Sequence, residues 1–165
     1  MNISFHCSIT IVPTGFAPVS AKRGFRIAIP PFIAFAERRT SGTNKIPTCL
    51  AAHVTPKGFE SSKSYLDSIL NDLLPKIKED NLSNRVDIFI EEKAFSVSEA
   101  SAFLDKVKNN FLITAHANQF TSGGVKVGVD NNAVSVDHLE VINDQEINYL
   151  SKSETTGVIL PGCSL

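Results

Sequence analysis

From Ile46 onward the chain repeats one unit, in which a short apolar run is followed by a longer stretch of helical periodicity and then by another apolar run. That alternation excludes most folds, because short apolar strands joined by helical crossovers pair in parallel and must be covered by those helices. IPTCLAAH (46–53) is read as the first strand. ESSKSYLDSILNDLLPKIKED (60–80) comes next, with Leu66, Ile69, Leu70, Leu73, Leu74 and Ile77 on one helical face and Pro75 expected to kink it by removing a backbone donor. RVDIFIEE (85–92) alternates Val86, Ile88 and Ile90. Ser96 and Glu99 then form a capping box ahead of a helix whose buried stripe is Ala100, Phe103, Leu104 and Val107.

FLITAHA (111–117) is the third strand. GGVKVGVDNN (123–132) is assigned a short helix by its place in the alternation, although valine and glycine are poor helix formers. AVSVDHL (133–139) is the fourth strand, Asn143 with Glu146 caps a helix reaching about Lys152, and GVILPG (157–162) is the fifth strand. The fold class is therefore α/β, with about five parallel strands and intervening helices. Right-handed crossovers curl consecutive units in one direction, so a TIM-like (β/α) barrel is expected rather than an open doubly wound sheet.

Residues 1–45 break this pattern. They hold six Lys or Arg (Lys22, Arg23, Arg26, Arg38, Arg39, Lys45) against Glu37 alone, so +6 and −1 give +5, and the remainder carries −6 to reach the total of −1. With Pro13, Pro18, Pro30 and Pro31 and no sustained period, the segment reads as an irregular basic arm, or as a stretch not native to the domain that occupies 46–165. A chain of 165 residues with 42% hydrophobic content suits one core. Cys7, Cys49 and Cys163 are odd in number and far apart, which argues against a disulfide framework and for a reducing, cytoplasmic setting. No apolar run approaches the roughly 20 residues of a membrane helix, and MNISFHC lacks a basic signal-peptide start, so no membrane association is expected. The near-neutral charge gives no reason to expect nucleic acid.

The chemistry lies in the histidines. His53, His116 and His138 each end a separate strand, and barrel enzymes build their sites at that carboxyl rim. Glu91 or Glu92 stands at the same level of the second strand and Pro161-Gly162 at the fifth, while His6 stands apart in the arm. One strand-end histidine ordinarily bonds a loop; three at equivalent positions point to convergence. Converging neutral imidazoles hold zinc or iron, or act as a general base. Asp137 would face away from His138 in a regular strand, so core pairing is its expected role. There is no HExxH helix motif, no close cysteine pair for a zinc finger and no GxSxG elbow. Gly123-Gly124 lacks the following Lys-Ser or Lys-Thr of a phosphate loop and reads as a turn, and Cys163 has no evident activating partner.

LAAHVTP, VDIFIEE, ITAHANQ, SVDHLE and VILPG, in that order and at these separations, resemble imidazolonepropionase, a family of the metal-dependent amidohydrolase superfamily. The likeness runs from about Ile46 to Leu165. It implies a distorted (β/α)8 barrel with a small β-domain, and hydrolysis of 4-imidazolone-5-propanoate to N-formimidoyl-L-glutamate in histidine breakdown. One divalent zinc or iron would activate water in such a site. By this resemblance His116 is a metal ligand, His53 binds the small-molecule substrate, Gln119 contacts substrate and attacking water, and His138 polarises the carbonyl or shuttles a proton. An amide at 119, where the family has Glu or Gln, cannot serve as base, which shifts proton transfer toward His138.

The resemblance also implies parts that this chain lacks. The family's first strand ends in a His-x-His pair, and none occurs here. Its Asp ligand in a T-D-x-N-P-G stretch and its substrate-contacting tyrosine segment are likewise absent. The expectation is five middle strands of eight, an incomplete metal site, an inactive isolated chain and self-association through open barrel edges. Two alternatives stand beside it: another cyclic amidohydrolase or deaminase of the superfamily, or a non-catalytic half-barrel that associates with another chain.

Overall fold

The computed structural model describes residues 46–160 and Gly162. The basic arm with His6 and Cys7, together with Pro161 and Cys163, lies outside the described residues. The expected alternation is present throughout the rest: β1 (Cys49–Ala52), α1 (Ser62–Ser68), α2 (Leu74–Glu79), β2 (Arg85–Ile90), α3 (Val97–Val107), β3 (Leu112–Ala117), α4 (Gly124–Asp130), β4 (Ser135–His138), α5 (Asp144–Leu150) and β5 (Thr156–Ile159). Among the described residues, no helix is long and apolar enough to cross a membrane.

All strand pairs are parallel, and their order in the sheet is β1-β2-β3-β4-β5. A doubly wound sheet reverses its order at a switch point, and this one does not. Each crossover steps to the next position in the same direction, so a common hand places the helices on one face. There they touch in succession, α1 with α3, α3 with α4 and α4 with α5. The result is a five-stranded arc of a partial (β/α)8 barrel.

Strand alternation then sorts the side chains. Val86, Ile88, Ile90, Ile113, Ala115, Ala117 and Val136 point under the helices and are at most 2% exposed. They meet Ile69, Ile77, Phe103, Leu104 and Val125, and each large aliphatic buried there contributes about 1.5–3 kcal/mol. The opposite face carries Asp87, Phe89, Thr114, His116, Ser135 and Asp137. Phe89, His116 and Asp137 share one register row across three strands. The sequence therefore packs its apolar set under the helices and leaves its chemistry on the face around which a barrel closes.

Local chemistry explains each helix. Serine, serine and asparagine caps at Ser61, Ser96 and Asn143 open α1, α3 and α5 with complete capping boxes. A π-helical turn over Ile69–Leu73 joins α1 to α2, and Pro75 falls in the first turn of α2, where a missing N–H is tolerated. The glycines of α4 are there for proximity. A Cβ at Gly124 would lie 2.5 Å from the Ala117 Cβ, and one at Gly128 would lie 2.6 Å from Val136 Cγ2, so only glycine lets this helix lie directly on β3 and β4. Gly123, at φ +108°, turns the chain into it.

Candidate metal centre and catalytic rim

Asp87, His53 and His116 come together on the sheet face opposite the described helices. β1 pairs Cys49 with Val86 but Ala52 with Ile88, so it carries one extra residue, and a bulge of this kind re-aims the side chains beyond it. His53 leaves the strand end with Nε2 2.7 Å from Asp87 Oδ1. His116 brings its Nε2 to 3.2 Å from the other oxygen, Oδ2, which also accepts the Thr114 hydroxyl at 2.5 Å. Asp87 is 5% exposed, yet both of its oxygens are engaged.

The charges reflect that geometry. Burial alone would raise the Asp87 carboxyl, but the hydrogen bonds and positive charge of His116 and His53 outweigh it and hold the group down at about 2. Burial likewise draws the His116 imidazole down, and the Asp87 bond and charge, aided by the charge of Asp137, reverse the effect and leave it raised. Both partners of the pair are therefore stabilised in their charged forms.

The three strand-end histidines meet in a row. Ring centroids are 5.1 Å apart for His53 and His116 and 5.2 Å for His116 and His138. Phe89 underlies the row, 6.0 Å from His53 and 6.4 Å from His138. A regular strand would not allow this, since His138 pairs with Ala117, whose side chain is under α4. His138 and Leu139 instead take φ of +84° and +70°, which turns the imidazole back over His116. Two consecutive left-handed residues with side chains are costly and persist where the surroundings enforce them.

The register of β4 corrects the expectation for Asp137. Its side chain is not set apart in the core: it shares the His116 row, and its Oδ1 is buried with no hydrogen-bond partner among the described residues. Burial raises its carboxyl against the charge of His116, a bond from Ser135 and the charge of His138. The remaining rim residues each have a defined place. Glu91 is buried and Glu92 exposed. Gln119 stands in the loop beyond β3, where its backbone N–H donates to Glu91 Oε1 at 2.9 Å. His138 Nδ1 lies 3.4 Å from Glu140 Oε1.

The donor atoms of His53, Asp87 and His116 all lie within 4.8 Å of one another. Two imidazoles and one carboxylate form a donor set that zinc and ferrous iron both accept, so the residues fit a divalent ion. The sequence expectation gave His116 to a metal and His53 to substrate and did not include Asp87, which the structure places between these two imidazoles. A signal was present: Asp87 is a lone acid between Val86 and Ile88 in an apolar strand, and a buried charge requires partners.

No protein-family model matches the chain. Among curated proteins, it is 44% identical over 121 residues to the imidazolonepropionase of Christiangramia forsetii, covering 72% of this chain and 29% of that one. The imidazolonepropionase of Thermoanaerobacter pseudethanolicus is 39% identical over 122 residues, covering 72% and 29%. That of Bdellovibrio bacteriovorus is 35% identical over 158 residues, covering 93% and 37%. An alignment over 93% of 165 residues leaves only about 12 unmatched, so this last one enters residues 1–45. The chain spans roughly a third of the length of these relatives.

Proposed function

Because the chain is homologous to imidazolonepropionases over most of its own length and about a third of theirs, we propose that its rim is part of a metal-assisted site opening the ring of 4-imidazolone-5-propanoate to N-formimidoyl-L-glutamate. The observation that carries this reading is the His53–Asp87–His116 cluster on the sheet face opposite the described helices, with His138 next in the row. His53, Asp87 and His116 would hold the ion. When bound, a zinc or ferrous ion there supplies an acidified water and polarisation of the scissile carbonyl.

The chain's own residues supply the rest. Asp87 draws both imidazoles together through its two oxygens, and so gathers the donor set. His53, part-buried just beyond β1, would also contact the ring of the substrate, as the family resemblance implies. Gln119 is an amide and can orient water or substrate but not remove a proton. His138 therefore takes up the proton from the attacking water and returns it to the leaving nitrogen. Its Nδ1 contact with Glu140 favours the tautomer that leaves Nε2 as the base.

Zinc titrated into the purified chain, with the imidazoles monitored by NMR, tests the reading. His53 and His116 should shift together at one equivalent, and 4-imidazolone-5-propanoate added next should move His138. Zinc that leaves both His53 and His116 unmoved removes the proposal. If binding is seen, His138→Ala should abolish any formation of N-formimidoyl-L-glutamate that the native chain supports.

A further inference from the structure

We propose that Glu91 is a positioning residue of the site, a carboxylate that clamps the loop carrying Gln119 and so fixes where that side chain stands. The inference rests on the reading of the rim as a hydrolytic site.

Glu91 comes directly after the last residue of β2 and is 5% exposed. Its backbone is itself fixed: its N–H donates to Phe95 O at 3.0 Å, and its carbonyl accepts from Ala94 N at 3.0 Å. From that anchor the side chain reaches the adjacent β3 loop. Oε1 accepts the N–H of Gln119 at 2.9 Å and of Phe120 at 3.0 Å, while Oε2 accepts the N–H of Thr121 at 3.1 Å and its hydroxyl at 2.6 Å. Three successive amides converge on one anion, an arrangement that binds negative charge strongly.

The loop has this shape because of the residue before it. Asn118, fully buried at φ +57°, reverses the chain after Ala117, and its side chain is held by Glu146 Oε2 at 2.8 Å and by Val125 N at 3.1 Å. Residues 119–121 then lie beyond the reach of the sheet ladder, and Glu91 supplies the acceptors that the ladder would have given. Gln119 leaves the loop from a backbone pinned three residues past His116. Phe120, on the same short arc, is held out at 70% exposure. A carboxylate is required, since an amide at 91 would turn one N–H₂ group toward these donors.

The test compares the native 165-residue chain with Glu91→Gln and with Thr121→Val, which removes the hydroxyl bond but keeps the charge. Amide hydrogen exchange is read at Gln119, Phe120 and Thr121, and at Ile88 and Ala115 as a control for the fold. Glu91→Gln should speed exchange at the three loop amides at least tenfold with the strand amides unchanged, and Thr121→Val should act less. In parallel, zinc should shift the Gln119 side-chain amide in the native chain and lose that effect in Glu91→Gln, while His53 and His116 still respond. Unchanged loop exchange in Glu91→Gln overturns the clamp, as does a Gln119 response to zinc equal in both proteins. Zinc that moves no histidine even in the native chain defeats the metal reading instead, and the exchange comparison then decides the clamp by itself.

Discussion

Replacing Asp87 with asparagine removes one charge from the carboxylate that joins His53, His116 and Thr114 on the sheet face opposite the helices. In the native protein three donors meet its two oxygens: His53 at 2.7 Å, His116 at 3.2 Å and Thr114 at 2.5 Å. Asparagine offers one acceptor and turns N–H₂ toward the rest, although either imidazole can switch tautomer and recover part of the loss. The magnitude can be worked from the carboxyl, which is held at about 2 when folded and lies near 3.9 when unfolded. That difference corresponds to about 2–3 kcal/mol of stability at neutral pH. The folded value is depressed, so the contribution is fully present above about pH 5 and is lost progressively as pH falls through 4 and 2 toward about 1. Urea unfolding should place Asp87→Asn about 2–3 kcal/mol below native at pH 7, with the gap closing toward pH 2. Zinc affinity by calorimetry should fall at least tenfold, because the only anionic donor of the cluster is gone. Equal stability at pH 7, or a gap that persists undiminished at pH 2, refutes the charge argument; undiminished zinc affinity refutes the role of Asp87 as a ligand.

Gly124→Ala should destabilise the chain by about 1–3 kcal/mol in the same assay, because its Cβ would stand 2.5 Å from that of Ala117, and Ala117→Gly in the same molecule should recover much of the loss. Burial pushes the Cys49 thiol up to about 11, so iodoacetamide at pH 8 should leave Cys49 unmodified in the native fold by peptide mass spectrometry. The same raised value makes the native state hold a proton that the unfolded chain releases near 9, so Cys49 should contribute a loss of stability as pH rises from about 9 to 11, and that loss should be missing in Cys49→Ala. Among the described residues β1 and β5 each pair on one side only, and Ile159 on β5 is 73% exposed. Size-exclusion chromatography should show self-association that Ile159→Lys weakens, and a native chain eluting as a clean monomer would count against edge pairing.

How far the sequence reveals this molecule depends on whether local chemistry or tertiary context sets each feature. The strands and α3 are legible because their apolar periods and caps are local, and Ser96 with Glu99 announces the helix before any contact is known. α4 is legible only by its place between strands, since Gly124 and Gly128 weaken it as an isolated helix and make sense only against Ala117 and Val136. The convergence of His53, His116 and His138 is legible from three strand ends, but the sharing of donors is not. Asp87 reads as an interruption of an apolar strand until β1 and β3 bring imidazoles to its two oxygens. The side on which His138 stands depends on a backbone reversal that no alternation rule contains. A period of two, applied strictly, keeps Asp137 in the His116 row and sends His138 under the helices; the left-handed turn at 138–139 is what brings the His138 imidazole back to His116. The strain held in those two residues and the charge buried at Asp87 lie on the same face, and neither is needed to pack the core beneath the helices. Strained backbone and a buried charge that must be held by dedicated partners, neither serving the core, are what a binding or catalytic surface leaves in a fold, and here they gather around one carboxylate and three imidazoles.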